Sequence, residues 1–179
     1  MPIRLPCLAG AAGALKRFLL LAVSLMGSAF LAPALAQEAF AEEAIRSIVA
    51  DQVVAWNAGD GTRYANRVTP DVSFTNLFGM VMYGKSPFAN RHNEILATFY
   101  KGTTKQHVIR RIRFVTPDVA IVDIDNEVRG VKAMPPGIAV PPDGVIKTQL
   151  MEVFARRDGL WSVEAYHNVD TKPAAPSSK

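Results

Sequence analysis

From residue 37 onward, hydrophobic positions recur at intervals of three and four. In QEAFAEEAIRSIVADQVVAWNAGD, Phe40, Ala44, Ile48, Val49, Gln52, Val53 and Trp56 share one helical face, acids crowd the first turns and Gly59 stands near the end. This spacing predicts an amphipathic helix with Trp56 turned to the core. GTRYANRVT predicts a short second helix ended by Pro70. The period then drops to two: Val72, Phe74, Asn76 and Phe78 alternate with Ser73, Thr75 and Leu77. A strand is expected there, with Asn76 as a polar intruder on an aromatic face, joined through Gly79 to a short strand in VMYG. KSPFANRHNEILATFYKG returns to helical spacing, with Pro87 near its start and Gly102 past its end. Its apolar stripe, Phe88, Ile95 and Phe99, also takes in His92.

Two hairpins are expected in the remainder. HVIRRIRFV and VAIVDIDNEV turn at Thr116-Pro117-Asp118; setting Val115 against Val119 places Arg111 opposite Asp123 and Ile112 opposite Val122. TQLMEVFARR and LWSVEAYHNV flank Asp158-Gly159, a strong two-residue hairpin signal. Pairing Arg157 with Leu160 then sets Phe154 opposite Val163, Glu152 opposite Ala165 and Leu150 opposite His167. A strict period of two puts Trp161, Val163, Ala165, His167 and Val169 on one face, and makes Glu152 and His167 diagonal neighbours there. Tyr166 and Asn168 fall on the opposite face. AMPPGIAVPPDG reads as a Pro-rich loop, a candidate lid at the sheet's edge, and KPAAPSSK as a flexible tail. The order predicts an α+β domain, with three helices in the N-terminal half and a curved sheet of about six strands.

Charge and cysteine count change the picture only after the first residues are set aside. MPIRLPCLAGAAGALKR carries Arg4, Lys16 and Arg17 without an acid, and an apolar run follows that closes on Ala34-Leu35-Ala36. That pattern is a secretory signal peptide, residues 1–36, with cleavage expected after Ala36 and a periplasmic or secreted product. The domain expected beyond it spans 37–172, with the tail at 173–179. Removing the leader's three basic residues from the 20 in the chain leaves 17 against 16 acids, so nucleic acid is not an expected partner and no membrane association is expected after cleavage. The single cysteine, Cys7, lies in the leader, which excludes disulfides, thiolate catalysis and Cys metal sites from the rest.

The helix ending AWNAGD, the strand VSFTNLFG, the helix containing RHNEILATFY, the turn VTPDVAIVD and the terminal YHNVD together resemble the SnoaL-like proteins. Within them they are most similar to the SgcJ/EcaC type of the nuclear-transport-factor-two-like superfamily, from about Glu38 to Asp170. The resemblance implies a cone, a strongly bent mixed sheet closed by three helices around an internal cavity, often in a homodimer formed through the sheet's outer face. That superfamily spans isomerases, dehydratases, cyclases, epoxide hydrolases and binding or assembly modules, so the fold does not choose the function. The sequence departs from its ketosteroid isomerases, because the inward positions of VAIVDIDNEV are Val122, Ile124, Asn126 and Val128, without an acid. The Asp-Arg-Asp set of its epoxide hydrolases is also missing. Scytalone dehydratase, with two histidines, is the nearest analogue in residue types.

The candidate chemistry is the polar set on apolar faces. His92 and His167, with Glu152 to orient one of them, would form an acid–base pair suited to enolisation, dehydration or isomerisation of a small carbonyl compound. Asn76, Phe74, Phe78, Trp56, Phe99, Leu150 and Trp161 would line a cavity for an apolar or aromatic ligand. No cofactor is expected, for there is no G-x-G-x-x-G, cysteine pair or flavin or haem signature. No metal is expected either, since the two histidines and Glu152 come from separate elements. Three functions remain open: an exported small-molecule-binding domain, a lyase or isomerase using the His/His/Glu set, and a dimerisation module.

Overall fold

The computed structural model describes residues 36–171. The leader up to residue 35 and the tail lie outside the described residues. Residues 36–40 begin the first helix, and the compact unit considered below starts at Ala41.

Helix α1 covers 36–57 and buries Ala41, Ile45, Ile48, Val49, Gln52, Ala55 and Trp56. It closes with Gly59 N–H on the Trp56 carbonyl and Asp60 N–H on that of Ala55, both 2.9 Å. Asp60 then caps the single-turn α2, Gly61–Tyr64, by accepting from Arg63 N–H at 2.8 Å. The second helix is shorter than its sequence predicts. It ends at Tyr64, and β1 (Val68–Thr75) begins two residues before Pro70. Pro70 is tolerated because the pairing of β1 skips from Val68 to Ser73 there. β2 (Val81–Tyr83), α3 (Lys85–Ala97), β3 (Thr104–Thr116), β4 (Val119–Arg129), β5 (Val145–Arg157) and β6 (Leu160–Asp170) follow.

The six strands form one mixed sheet in the order β2-β1-β6-β5-β4-β3, parallel only between β1 and β6. α3 packs on β1 through Phe88, His92, Ile95 and Leu96, and on α2 where Gly61 lies against its backbone. A Cβ on Gly61 would sit 2.3 Å from the Asn93 backbone nitrogen, so only glycine permits this approach. The β5–β6 turn has Asp158 and Gly159 at φ 51° and 77°, as an Asp-Gly type I′ turn requires.

β4 and β5 keep a strict period of two, with Ala120, Val122, Ile124, Asn126 and Val128 inward on one, and Ile146, Thr148, Leu150, Glu152 and Phe154 on the other. β3 and β6 do not. In β6 the pairing passes from Val153↔Ala165 to Phe154↔Val163, leaving Glu164 as an extra residue. Parity inverts at that bulge: Trp161 and Val163 face inward before it, and Tyr166 and Asn168 after it. The expected partners of β5 are therefore corrected. Glu152 pairs with Tyr166 rather than Ala165, and Leu150 with Asn168 rather than His167. In β3, Arg111↔Asp123 and Ile112↔Val122 hold as expected, but Arg110 bulges and Val119 pairs with Thr116, not Val115. On the N-terminal side of Arg110 the inward residues are Lys105, His107 and Ile109. The Pro-rich loop joins the adjacent strands β4 and β5, clipped at its base by Val131 N–H on the Gly144 carbonyl.

Candidate binding pocket

The inward polar residues meet beneath α1, α2 and α3. Lys105 is held from both sides of its backbone by Asn57 of α1, whose Oδ1 accepts from Lys105 N–H at 2.6 Å and whose Nδ2 donates to the Lys105 carbonyl at 3.3 Å. Its Nζ lies 3.9 Å from the centre of the Trp56 ring and donates to Tyr64 Oη at 2.9 Å. Tyr64 Oη is 3.0 Å from Tyr166 Oη, and Tyr166 faces Glu152 across the β5–β6 ladder. Glu152 accepts from Gln52 Nε2 at 2.7 Å through one oxygen, while its Oε2 has no partner. Among the described residues no carboxylate comes within ion-pair distance of Lys105.

Burial shifts each of these groups toward its neutral form. It brings Lys105 down to about 7, against the opposing charge of Glu152. It raises Glu152 to about 7, moderated by the Gln52 hydrogen bond and by Lys105. The Tyr64 phenol is held well above its usual range by burial, then by Tyr166 and Glu152. His92 is pushed down to about 3 by burial, although the Phe88 carbonyl accepts from its Nδ1 at 2.8 Å. His92 is thus a neutral imidazole with Nδ1 protonated, stacked at 4.5 Å on Tyr64 and packed at 4.2 Å on Phe88.

A cavity of about 50 Å³ opens over this cluster, reached by Trp56, Phe74, His92, Lys105, Asn126 and Tyr166 among others. Its orphaned polar atoms include Asn168 Oδ1 and the Tyr100 hydroxyl. Leu77, Phe78 and Ile146 are shared with an outer groove of about 440 Å³, whose other wall is the Pro-rich loop at Met134, Ile138 and Pro141. The loop therefore covers a groove beside the pocket's mouth.

The predicted site residues divide accordingly. His92, Asn76, Phe74, Phe78 and Trp56 line the pocket. Asn76 has its Oδ1 engaged in the β1–β2 turn, accepting from Phe78 and Met80 N–H at 2.9 Å each, so that oxygen is not free to hold a ligand. Glu152 faces inward but lies behind Tyr166, and Leu150 is core beside it. Phe99 lies past the end of α3, half-buried against the core, and Tyr100 takes the pocket position instead. Trp161 borders a different groove, of about 330 Å³, beside Arg67 and Leu160. His167 is the main correction. The Glu164 bulge turns it to the exposed outer face, opposite Met151 and beside Thr75, whose hydroxyl is 3.3 Å from its Nε2. His92, Glu152 and His167 do not form one site. The bulges hid the residues that do assemble: Lys105 and His107 before Arg110, and Tyr166 and Asn168 after Glu164. His107 stands opposite Asn126 on β4, and burial with the Lys105 charge holds its pKa well below the usual value against a hydrogen bond from Asn126 that raises it.

No family model and no curated protein matches this sequence. Solved structures do match. An uncharacterised protein with a cystatin-like fold from Caulobacter vibrioides superposes with a TM-score of 0.63 at 25% identity, over 74% of this chain and 90% of that one. A candidate scytalone dehydratase from Novosphingobium aromaticivorans gives 0.64 at 18% identity, over 76% and 87%. An NTF-2-like protein from Shewanella oneidensis gives 0.58 at 14% identity, over 72% and 98%. The chain has the nuclear-transport-factor-two-like fold. In this nuclear-transport-factor-two-like domain the pocket occupies the concave side of the sheet, and its neighbours include enzymes as well as proteins of unknown function.

Proposed function

We propose that this domain binds a small, largely apolar or aromatic molecule in the inner pocket, with the ligand's polar end at Lys105 and its body extending toward Phe78 and the outer groove. The observation that carries this reading is a buried amine that has no ion-pair partner among the described residues, set among aromatic rings in the lining of a cavity. Such an amine is unfavourable in an apolar interior unless something meets it. The unpartnered amide oxygen of Asn168 would accept from a hydroxyl or N–H of the same ligand.

Trp56 supplies the test. In a Trp161→Phe variant it is the sole tryptophan, so occupancy of the pocket shifts or quenches the remaining fluorescence; native mass spectrometry of the same protein gives the mass of any retained molecule. Silence in both, across panels of small aromatic and alicyclic alcohols, acids and ketones, would sink the reading. His167→Ala is expected to leave fold and binding unchanged, because His167 lies on the outer face. The proposal includes export, supported by the leader pattern and tested by whether the secreted protein begins at Gln37.

A second reading, a cofactor-independent lyase or isomerase, draws on the candidate dehydratase among the structural neighbours and on Lys105 and Glu152 both titrating near neutrality in one buried cluster. Exchange of α-hydrogens of cyclohexanone into heavy water, lost in Lys105→Met, would support it; a rate no faster than buffer would remove it.

A further inference from the structure

Lys105 differs from Lys85 and Lys147. Lys85 reaches out to the Asn66 carbonyl and Lys147 to Glu127, both on the exposed surface, whereas Lys105 is buried with its Nζ at the floor of a cavity. Its Nζ has one hydrogen-bond acceptor, the Tyr64 hydroxyl, and two aromatic faces, Trp56 at 3.9 Å and Tyr64 at 4.8 Å from the ring centres. A structural lysine in such a position would be expected to hold a carboxylate, yet Glu152 is paired instead with Gln52. The Asn57 clip fixes the lysine's backbone, Tyr64 and Trp56 hold its amine, and the residue lines the cavity a ligand would fill.

Resting on the pocket reading above, we propose that Lys105 forms an imine with the carbonyl group of a small aldehyde or ketone bound in this cavity. The nitrogen lone pair adds to the carbonyl carbon, and the carbonyl π pair takes a proton to give a carbinolamine. That hydroxyl leaves as water with the second nitrogen hydrogen, so a carbonyl and a primary amine become an imine and water without any oxidant or reductant. Two features serve the step. An amine desolvated among aromatic rings is partly unprotonated at neutral pH, in keeping with its depressed pKa of about 7, so a share of the molecules carries a free lone pair. The Tyr64 hydroxyl, 2.9 Å from Nζ and 3.0 Å from Tyr166 Oη, is placed to carry protons between nitrogen and oxygen. The ionisable groups around Nζ are Tyr64 from α2, His92 from α3, His107 on β3 itself, Glu152 from β5 and Tyr166 from β6. Of these only Glu152 titrates near the lysine, and its charge holds Lys105 up, so the two couple across the same pH range.

The test is reductive trapping. The purified full-length protein is mixed near neutral pH with benzaldehyde, or with butanal as a narrower probe, and treated with cyanoborohydride; peptide mapping then locates the adducts. The expected result is a single dominant modification on Lys105, heavier by the aldehyde less one oxygen atom, at least tenfold above any surface lysine. Its yield should rise as the pH passes about 7. Lys105→Arg should keep the fold and lose the adduct, but because the site is mapped in the unaltered protein, the conclusion does not depend on that variant. Adducts spread evenly over surface lysines, or none on Lys105 with either aldehyde, would overturn the proposal. Benzyl alcohol and 1-butanol, which lack the carbonyl, separate the two claims. A Trp56 fluorescence change with an alcohol but no trapped adduct leaves the binding pocket standing and removes the imine. No response to alcohols or aldehydes removes both.

Discussion

Tyr64 makes three contacts at once: it accepts from Lys105, shares a hydrogen bond with Tyr166 and stacks on His92. Tyr64→Phe leaves two buried polar groups short of a partner and is expected to destabilise the fold by about 1–3 kcal/mol, read from denaturant unfolding. The buried ionisable groups also give stability a definite pH dependence. His92 titrates at about 3 when folded and 6.5 when unfolded, so between those values the unfolded chain holds the extra proton and stability falls as the pH drops. Glu152 has the opposite sign: folded at about 7 against 4.5 unfolded, it keeps its proton longer in the fold, and stability falls as the pH rises through that window. Lys105, at about 7 folded and 10.5 unfolded, adds stability as the pH rises from 7 to 10.5. Unfolding free energies of Lys105→Met measured across that alkaline window should be flatter than those of the parent protein. His92→Gln should lose part of the acid-side decline. The inward positions of Trp56, His92 and Glu152 were legible from spacing alone, because their elements keep a regular period. Tyr64 was not, since a four-residue helix has no period to read.

At the scale of elements, two bulges decide what the pocket contains. Arg110 and Glu164 each add one residue to their strand, and each turns a run of side chains to the other face. Deleting Glu164 should therefore restore the simple alternation, bring His167 inward and expel Tyr166. The expected outcome is loss of cooperative unfolding in thermal melts monitored by circular dichroism, because the Tyr64–Tyr166 pair and its ring contacts with Phe74 and Phe88 go with it. Gly61 is the other element-scale constraint. Gly61→Ala would press a methyl group into the backbone of α3 at His92 and Asn93, costing about 1–3 kcal/mol and shifting His92 relative to the pocket. A shallower Trp56 response to ligand would accompany the lower stability.

For the whole molecule, a ligand that meets Lys105 only in the folded state stabilises the domain by mass action, by about 2.7 kcal/mol at a hundredfold excess over its dissociation constant. The melting temperature should rise with such a ligand in the parent protein and much less in Lys105→Met. Sequence alone determined the class and order of elements: period changes, the Asp158-Gly159 turn and the acidic start of α1 are local signals, and each follows from backbone geometry within a few residues. It also determined the inward faces of β4 and β5, where alternation runs unbroken. Only the tertiary structure decided which polar residues share the cavity. A bulge is an accommodation between two strands far apart in sequence, set by how the sheet must bend around its core, and period counting along one strand cannot see it. The interior set therefore changed from His92, His167 and Glu152 to a lysine, two tyrosines and the histidines His92 and His107, with Glu152 behind them.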